Sequence, residues 1–194
     1  MIRRLYDWVL HWAETPYGVP ALFLLAFAES SFFPIPPDVL LIALALGCTA
    51  RSYYYAFLCS LGSVLGGTVG YLIGMFTWGL VGHYFFTYIP GFTPEQFTNV
   101  QGLFAQYNFW IVFVAGFTPI PYKIFTIGAG VFQVNFLLFL LASTISRSLR
   151  FFLVGGLIYY FGLPIRTFID KYLNYLTWAF TFLLIGGFLL LKTL

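Results

Sequence analysis

Charge is scarce in this 194-residue chain: 9 Lys and Arg with 6 Asp and Glu make up 8% of it, against about 25% in soluble domains. That shortage, beside 61% hydrophobic and 23% aromatic residues, excludes a water-soluble fold. The chain reads as a polytopic, all-α membrane protein. A net charge of +3 on scattered carriers excludes nucleic acid as a partner. Cysteine is nearly absent, and Cys48 and Cys59 lie in or beside apolar runs, so no disulfide framework is expected. The two histidines, His11 and His83, are far apart, and neither CxxC nor HxxxH occurs, so no metal site and no cofactor are expected. The opening MIRRLYDWVLHWAE is basic at its start, but Asp7, His11 and Glu14 break its apolar core. It does not read as a cleavable signal peptide.

What is present divides into segments. Residues 1–14 set Ile2, Leu5, Val9 and Trp12 at helical spacing against Arg3, Arg4, Asp7 and His11. This predicts a helix lying in the membrane interface, with an ordinary cytoplasmic helical start as the alternative. An apolar arm over 19–33 carries Glu29, and the cluster Pro34, Pro36, Pro37 and Asp38 leads into a second arm over 39–47. Nine residues at about 1.5 Å each reach roughly 14 Å, short of a hydrocarbon core of roughly 30 Å. The two arms read as a re-entrant hairpin with a proline apex. Residues 53–80 form the first clear span, with Gly62, Gly66, Gly70 and Gly74 at every fourth position. Such a smooth face lets another helix approach closely in lipid. The more polar stretch 82–106, with Pro90, Pro94, Glu95, Gln96, Asn99 and Gln101, is expected to be an aqueous or interfacial connection. Short arms over 108–118 and 123–130, joined by Pro119-Ile120-Pro121, predict a second re-entrant hairpin. Residues 136–161 then span, a polar link follows over 164–171, and 172–192 forms a C-terminal transmembrane helix.

Pro34-Ile35-Pro36-Pro37-Asp38 and Pro119-Ile120-Pro121-Tyr122-Lys123 share a P-I-P-x-charge pattern 85 positions apart. Each hairpin precedes a helix that is expected to end in an aromatic-glycine region, at 70–74 and at 159–162. A hairpin adds no crossing and the helix after it adds one, so 17–80 and 108–162 read as an inverted repeat within a single membrane domain. Arg3, Arg4, Arg51, Arg166 and Lys171 fall on one side, and the 82–106 stretch holds no Lys or Arg. The positive-inside rule then places the N-terminus in the cytoplasm and the C-terminus outside.

Five ionisable residues stand at membrane depth: Glu29, Asp38, Lys123, Arg147 and Arg150. Each costs about 2.5–3.5 kcal/mol at a bilayer centre, so such residues face a cavity and one another. Mutual neutralisation that only holds the hairpins together is one reading. Three cations facing two acids leave a surplus, which suits an anionic headgroup held by Lys123, Arg147 and Arg150. Glu29 and Asp38, desolvated, suit proton exchange during transport. The matched positions of Asp38 and Lys123 lead us to expect Glu29, Asp38 and Lys123 in one shared midplane site, where Lys123 with Arg147 or Arg150 holds the headgroup.

Glu29-x4-Pro34-x-Pro36-x-Asp38, the glycine-ladder helix, Thr118-Pro119-Ile120-Pro121-Tyr122-Lys123 with Gly128-Ala129-Gly130, and the later Arg147 and Arg150 resemble the DedA family. This is also called the SNARE-associated or VTT-domain family, and the chain is similar to its YqaA-type branch over roughly 17–162. The resemblance implies a bacterial inner-membrane lipid transporter, a flippase or scramblase of polyprenyl phosphate or phospholipid, with proton coupling in some members. It carries the acidic pair onto Glu29 and Asp38. The family's arginine-x2-proline-x2-arginine motif departs here: Gly116 stands where the first arginine would align with Pro119, and Lys123 lies one place beyond the second. A proton-coupled exporter of small ions or drugs and a purely structural membrane protein stay open as alternatives, as does homo-oligomerisation. An enzyme is not expected, because no nucleophile, base and orienting group stand together near the buried charges.

Overall fold

A computed structural model describes residues 15–162 apart from 16, 33–34, 89–92 and 119. The expected interfacial helix at 1–14, the C-terminal helix at 172–192, and Pro34 and Pro119 lie outside the described residues. Those residues form six α-helices and no strand: α1 (Gly18–Ser31), α2 (Asp38–Gly47), α3 (Ser52–Tyr88), α4 (Pro94–Phe117), α5 (Tyr122–Val131) and α6 (Phe136–Phe161). Among the described residues three apolar stretches are long enough to cross a membrane: Thr49–Leu80, Phe97–Phe117 and Phe136–Phe161. At 1.5 Å per residue, α1 reaches about 21 Å and α2 and α5 about 15 Å, all short of the hydrocarbon thickness.

The boundaries follow local chemistry. Proline has no N–H to continue a helix, and α1 stops before Pro34 while α2 begins after Pro37. Asp38 in the first turn of α2 sets its carboxylate on the positive end of the helix dipole. Asn135 caps α6, its side-chain oxygen accepting from the N–H groups of Leu137 and Leu138. At the other end Gly162, at φ +57°, turns the chain out of α6, and its N–H closes on the Ile158 carbonyl at 2.8 Å.

One difference from the sequence reading concerns the middle of the chain. The stretch over 82–106 is helical on both sides of residues 89–92: α3 runs on to Tyr88, past Gly74 and Leu80, and α4 is helical from Pro94. The sequence misleads here because scattered polar residues hide an apolar stripe. Phe97 and Phe104, two turns apart, both pack on Phe132 at centroid distances of 5.0 and 4.9 Å. Phe97 also stacks on Trp78 at 5.0 Å, while Glu95, Thr98 and Asn99 point outward. The first arm of the second hairpin begins where the sequence places it: Tyr107 (φ −112°, ψ 16°) is not helical and divides Pro94–Phe117 into two helices, the second of them over 108–117.

Helices α3 and α6 run antiparallel along the centre. Gly155 of α6 lies against the Ser52 carbonyl at one end, and Phe139 packs on Tyr71 at 5.0 Å further along. One apolar cluster joins α1 and α2 to the first half of α3 and to Phe151 and Ile158 of α6. A second joins α4 and α5 to Tyr71 of α3 and to Phe139 and Ala142 of α6. The glycine ladder on α3 serves both. Added Cβ atoms at Gly62 and Gly66 would strike the Phe23 and Phe27 carbonyls of α1, and one at Gly74 would strike the Ile127 carbonyl of α5. Gly70 stands where they meet, with the Ser30 carbonyl and Thr126 Oγ1 both against it. The end of α1 and the start of α5 thus abut over the middle of α3.

Candidate functional site

The acids and arginines of the sequence reading converge where the two clusters join. Arg147 and Arg150 stand three residues apart on α6, which puts them on one helix face. Each takes one arm of the first hairpin. Arg147 Nη2 donates to Glu29 Oε2 of α1 at 2.8 Å, and Arg150 Nη2 and Nε donate to the two oxygens of Asp38 on α2 at 3.0 and 3.3 Å. The first pair is the more enclosed, with side chains 4% and 14% exposed against 19% and 21% for the second.

Hydroxyl groups complete the surroundings. Arg147 Nε donates to Ser63 Oγ of α3 at 2.5 Å, Ser63 and Ser30 share a hydrogen bond of 2.7 Å, and Ser30 Oγ donates to Glu29 Oε2 at 3.2 Å. The Arg147 guanidinium lies over the rings of Tyr122 and Phe151 at 4.8 and 4.7 Å. Tyr122 is itself fully buried, its hydroxyl donating to Ser143 Oγ at 2.5 Å. Ser31 Oγ donates to the Gly66 carbonyl at 2.8 Å and ties the end of α1 to α3.

The prolines leave carbonyls for others to fill. A continuing helix would close residue 34 onto Ser30 and residue 121 onto Phe117, yet both positions are proline and offer no N–H. The Ser30 carbonyl instead accepts from Thr126 Oγ1 at 3.1 Å, and the Phe117 carbonyl faces Arg150 Nη1 at 3.4 Å. Pro36 is exposed and Pro37 buried at the first apex, and Pro121 precedes the first turn of α5. Lys123, in that first turn, is part-buried and forms no ion pair among the described residues. It does not meet Asp38 in a salt bridge, because Arg150 holds that carboxylate.

A family model for the VTT domain matches residues 33–160. The chain belongs to the VTT-domain family. Relatives of this VTT-domain protein include an uncharacterised protein of Haemophilus influenzae, 32% identical over 198 residues that cover 97% of this chain and 96% of that one. An uncharacterised protein of Histophilus somni is 36% identical over 189 residues, 97% of each chain. No solved structure matches. The matched range spans the proline apices, the glycine ladder, Asp38 and both arginines, and begins after Glu29.

Ser30, Ser63 and Ser143 went unread in the sequence, and Tyr122 was noted only as part of the proline motif. Their signal is faint: Ser30 follows Glu29 directly, and Ser143 lies one turn before Arg147. Serine is common enough in packed membrane helices that neither neighbour marks it as a partner.

Proposed function

We propose that this VTT-domain protein moves an anionic lipid, a polyprenyl phosphate or a phospholipid, across the bacterial inner membrane as a flippase or scramblase. One observation carries this reading: two arginines are matched by two carboxylates, and part-buried Lys123 has no ion partner among the described residues. A part-buried cation with no counter-ion favours an anion arriving from outside the protein, and phosphate takes charge-assisted hydrogen bonds from both Arg and Lys. The cations Lys123 and Arg150 then face the headgroup, and Arg147, held by Glu29, fixes the helix that carries Arg150. Glu29 and Asp38 are their counter-ions in the empty state and the carriers in any proton exchange.

The short helices support a path for such a headgroup. Helices α1, α2 and α5 fall short of a crossing, and the proline-freed Ser30 carbonyl of α1 is satisfied inside the protein, which is where irregular backbone at membrane depth is tolerated. We read them as arms of two re-entrant hairpins in an inverted repeat, with the N-terminus cytoplasmic. The test is movement of labelled polyprenyl phosphate and phosphatidylethanolamine in vesicles carrying the purified protein. Movement of the anionic lipid above protein-free vesicles is expected. No movement of either lipid, with solute-driven proton flux instead, assigns the protein to small-solute export.

A further inference from the structure

The two arginine–carboxylate pairs are equivalent in sequence and unlike in their surroundings. Around Arg147 the hydrogen bonds close on themselves. Ser63 Oγ accepts from Arg147 Nε, so its own proton goes to Ser30, whose proton goes to Glu29, the acid that Arg147 Nη2 already holds. Two aromatic rings flank the guanidinium. A guest would have to open the whole ring at a side chain only 4% exposed.

Arg150 is held more loosely. Asp38 is its one carboxylate, both side chains are about one-fifth exposed, and its third contact, to the Phe117 carbonyl, is long at 3.4 Å. The next residue after that carbonyl is Thr118, itself 4% exposed, with a buried Oγ1 that has no hydrogen-bond partner among the described residues. Buried hydroxyls are rarely left so. Lys123 follows five positions later, part-buried and without an ion pair among the described residues. Arg150 thus reaches the carbonyl next to Thr118, and Lys123 lies in the first turn of the helix that leaves the same proline apex. A tetrahedral phosphate oxyanion accepts from all three.

We propose that Arg150, the Thr118 hydroxyl and Lys123 form the subsite for the phosphate of the anionic lipid, and that Asp38 is the group the phosphate displaces from Arg150. This rests on the lipid-transport reading and divides the labour within it. Carboxylate and headgroup compete for one guanidinium, so Asp38 ejects the headgroup when it returns. The ring around Arg147 stays closed throughout and positions α6. Thr118 becomes a specificity residue that no charge argument would find.

The test uses the full chain in detergent, titrated with dodecyl phosphate, with inorganic phosphate and dodecylphosphocholine in parallel and binding followed by tryptophan fluorescence. Thr118→Val, which keeps shape and removes the hydroxyl, raises the half-saturating concentration of dodecyl phosphate about tenfold, and Thr118→Ser restores it. Asp38→Asn removes the competitor and tightens dodecyl phosphate binding while slowing lipid movement in vesicles. Ser63→Ala lowers the melting temperature and leaves binding unchanged. Native binding by Thr118→Val, or weaker binding by Asp38→Asn, overturns the subsite. Inorganic phosphate binding as well as dodecyl phosphate makes the ligand a free anion and overturns the lipid assignment, as does equal binding of the phosphocholine. In vesicles, a native protein that moves no lipid overturns the transport reading and the subsite's role with it. Native movement retained by Thr118→Val, together with native binding, overturns the subsite alone.

Discussion

Arg147 and Glu29 hold each other where water barely reaches, at 4% and 14% exposure. Removing one partner of a buried pair leaves the other charge uncompensated, at a cost of about 3–5 kcal/mol. Glu29→Gln is therefore expected to lower stability by about that amount, measured as denaturant or thermal unfolding in detergent. Glu29→Gln with Arg147→Gln is expected to unfold at a higher temperature than Glu29→Gln alone, since the surviving charge is then gone. A double variant no more stable than the single one would remove the pair from the account. At this scale the sequence marked five charged residues and withheld how four of them pair. Five charges in apolar segments are conspicuous because lipid penalises each. The partner of Glu29 lies 118 residues away and that of Asp38 lies 112 away, and no local pattern reports contacts at such separations. The symmetry of the two proline motifs pointed Asp38 toward Lys123, whereas Arg150, one turn beyond Arg147 on α6, takes it.

At the scale of elements, α3 acts as a shared bearing for both hairpins. A methyl group at Gly66 meets the Phe27 carbonyl, which is backbone and cannot swing aside, whereas one at Gly79 meets nothing within 4 Å. Gly66→Ala is expected to cost about 1–3 kcal/mol as overpacking, and Gly79→Ala to leave the melting temperature unchanged. Equal tolerance of the two would mean that the close approach of α1 to α3 is not needed for stability. The four-residue spacing of Gly62, Gly66, Gly70 and Gly74 exposes this face directly in the sequence, because helices in lipid approach only where side chains are small. The bounds of α6 were equally legible, its start marked by Asn135 and its end by Gly162. Helix α4 was not, since its apolar positions alternate with Glu95, Thr98 and Asn99, and only the packing of Phe97 and Phe104 on Phe132 reveals the inward stripe.

For the whole molecule the open question is which helices cross. Pro36 and Pro121 are exposed at the two apices, so cysteine placed at each reports the face from which it is reached. In sealed vesicles of known orientation, re-entrant hairpins are expected to label from the side their arms enter, one apex from each face. Labelling of both only from the opposite side would make the hairpins full crossings.

The long reach of the two ion pairs also sets a schedule for making the protein. Synthesis at about 5–20 residues per second needs roughly 6–24 s to cover the 112–118 residues between each acid and its arginine. For that interval the first hairpin has left the ribosome with Glu29 and Asp38 still unmatched and the Ser30 carbonyl still waiting for Thr126. A nascent chain halted before Arg147 leaves both acids of the first hairpin without their arginines. The last residue that must emerge before the first hairpin can settle belongs to the sixth helix.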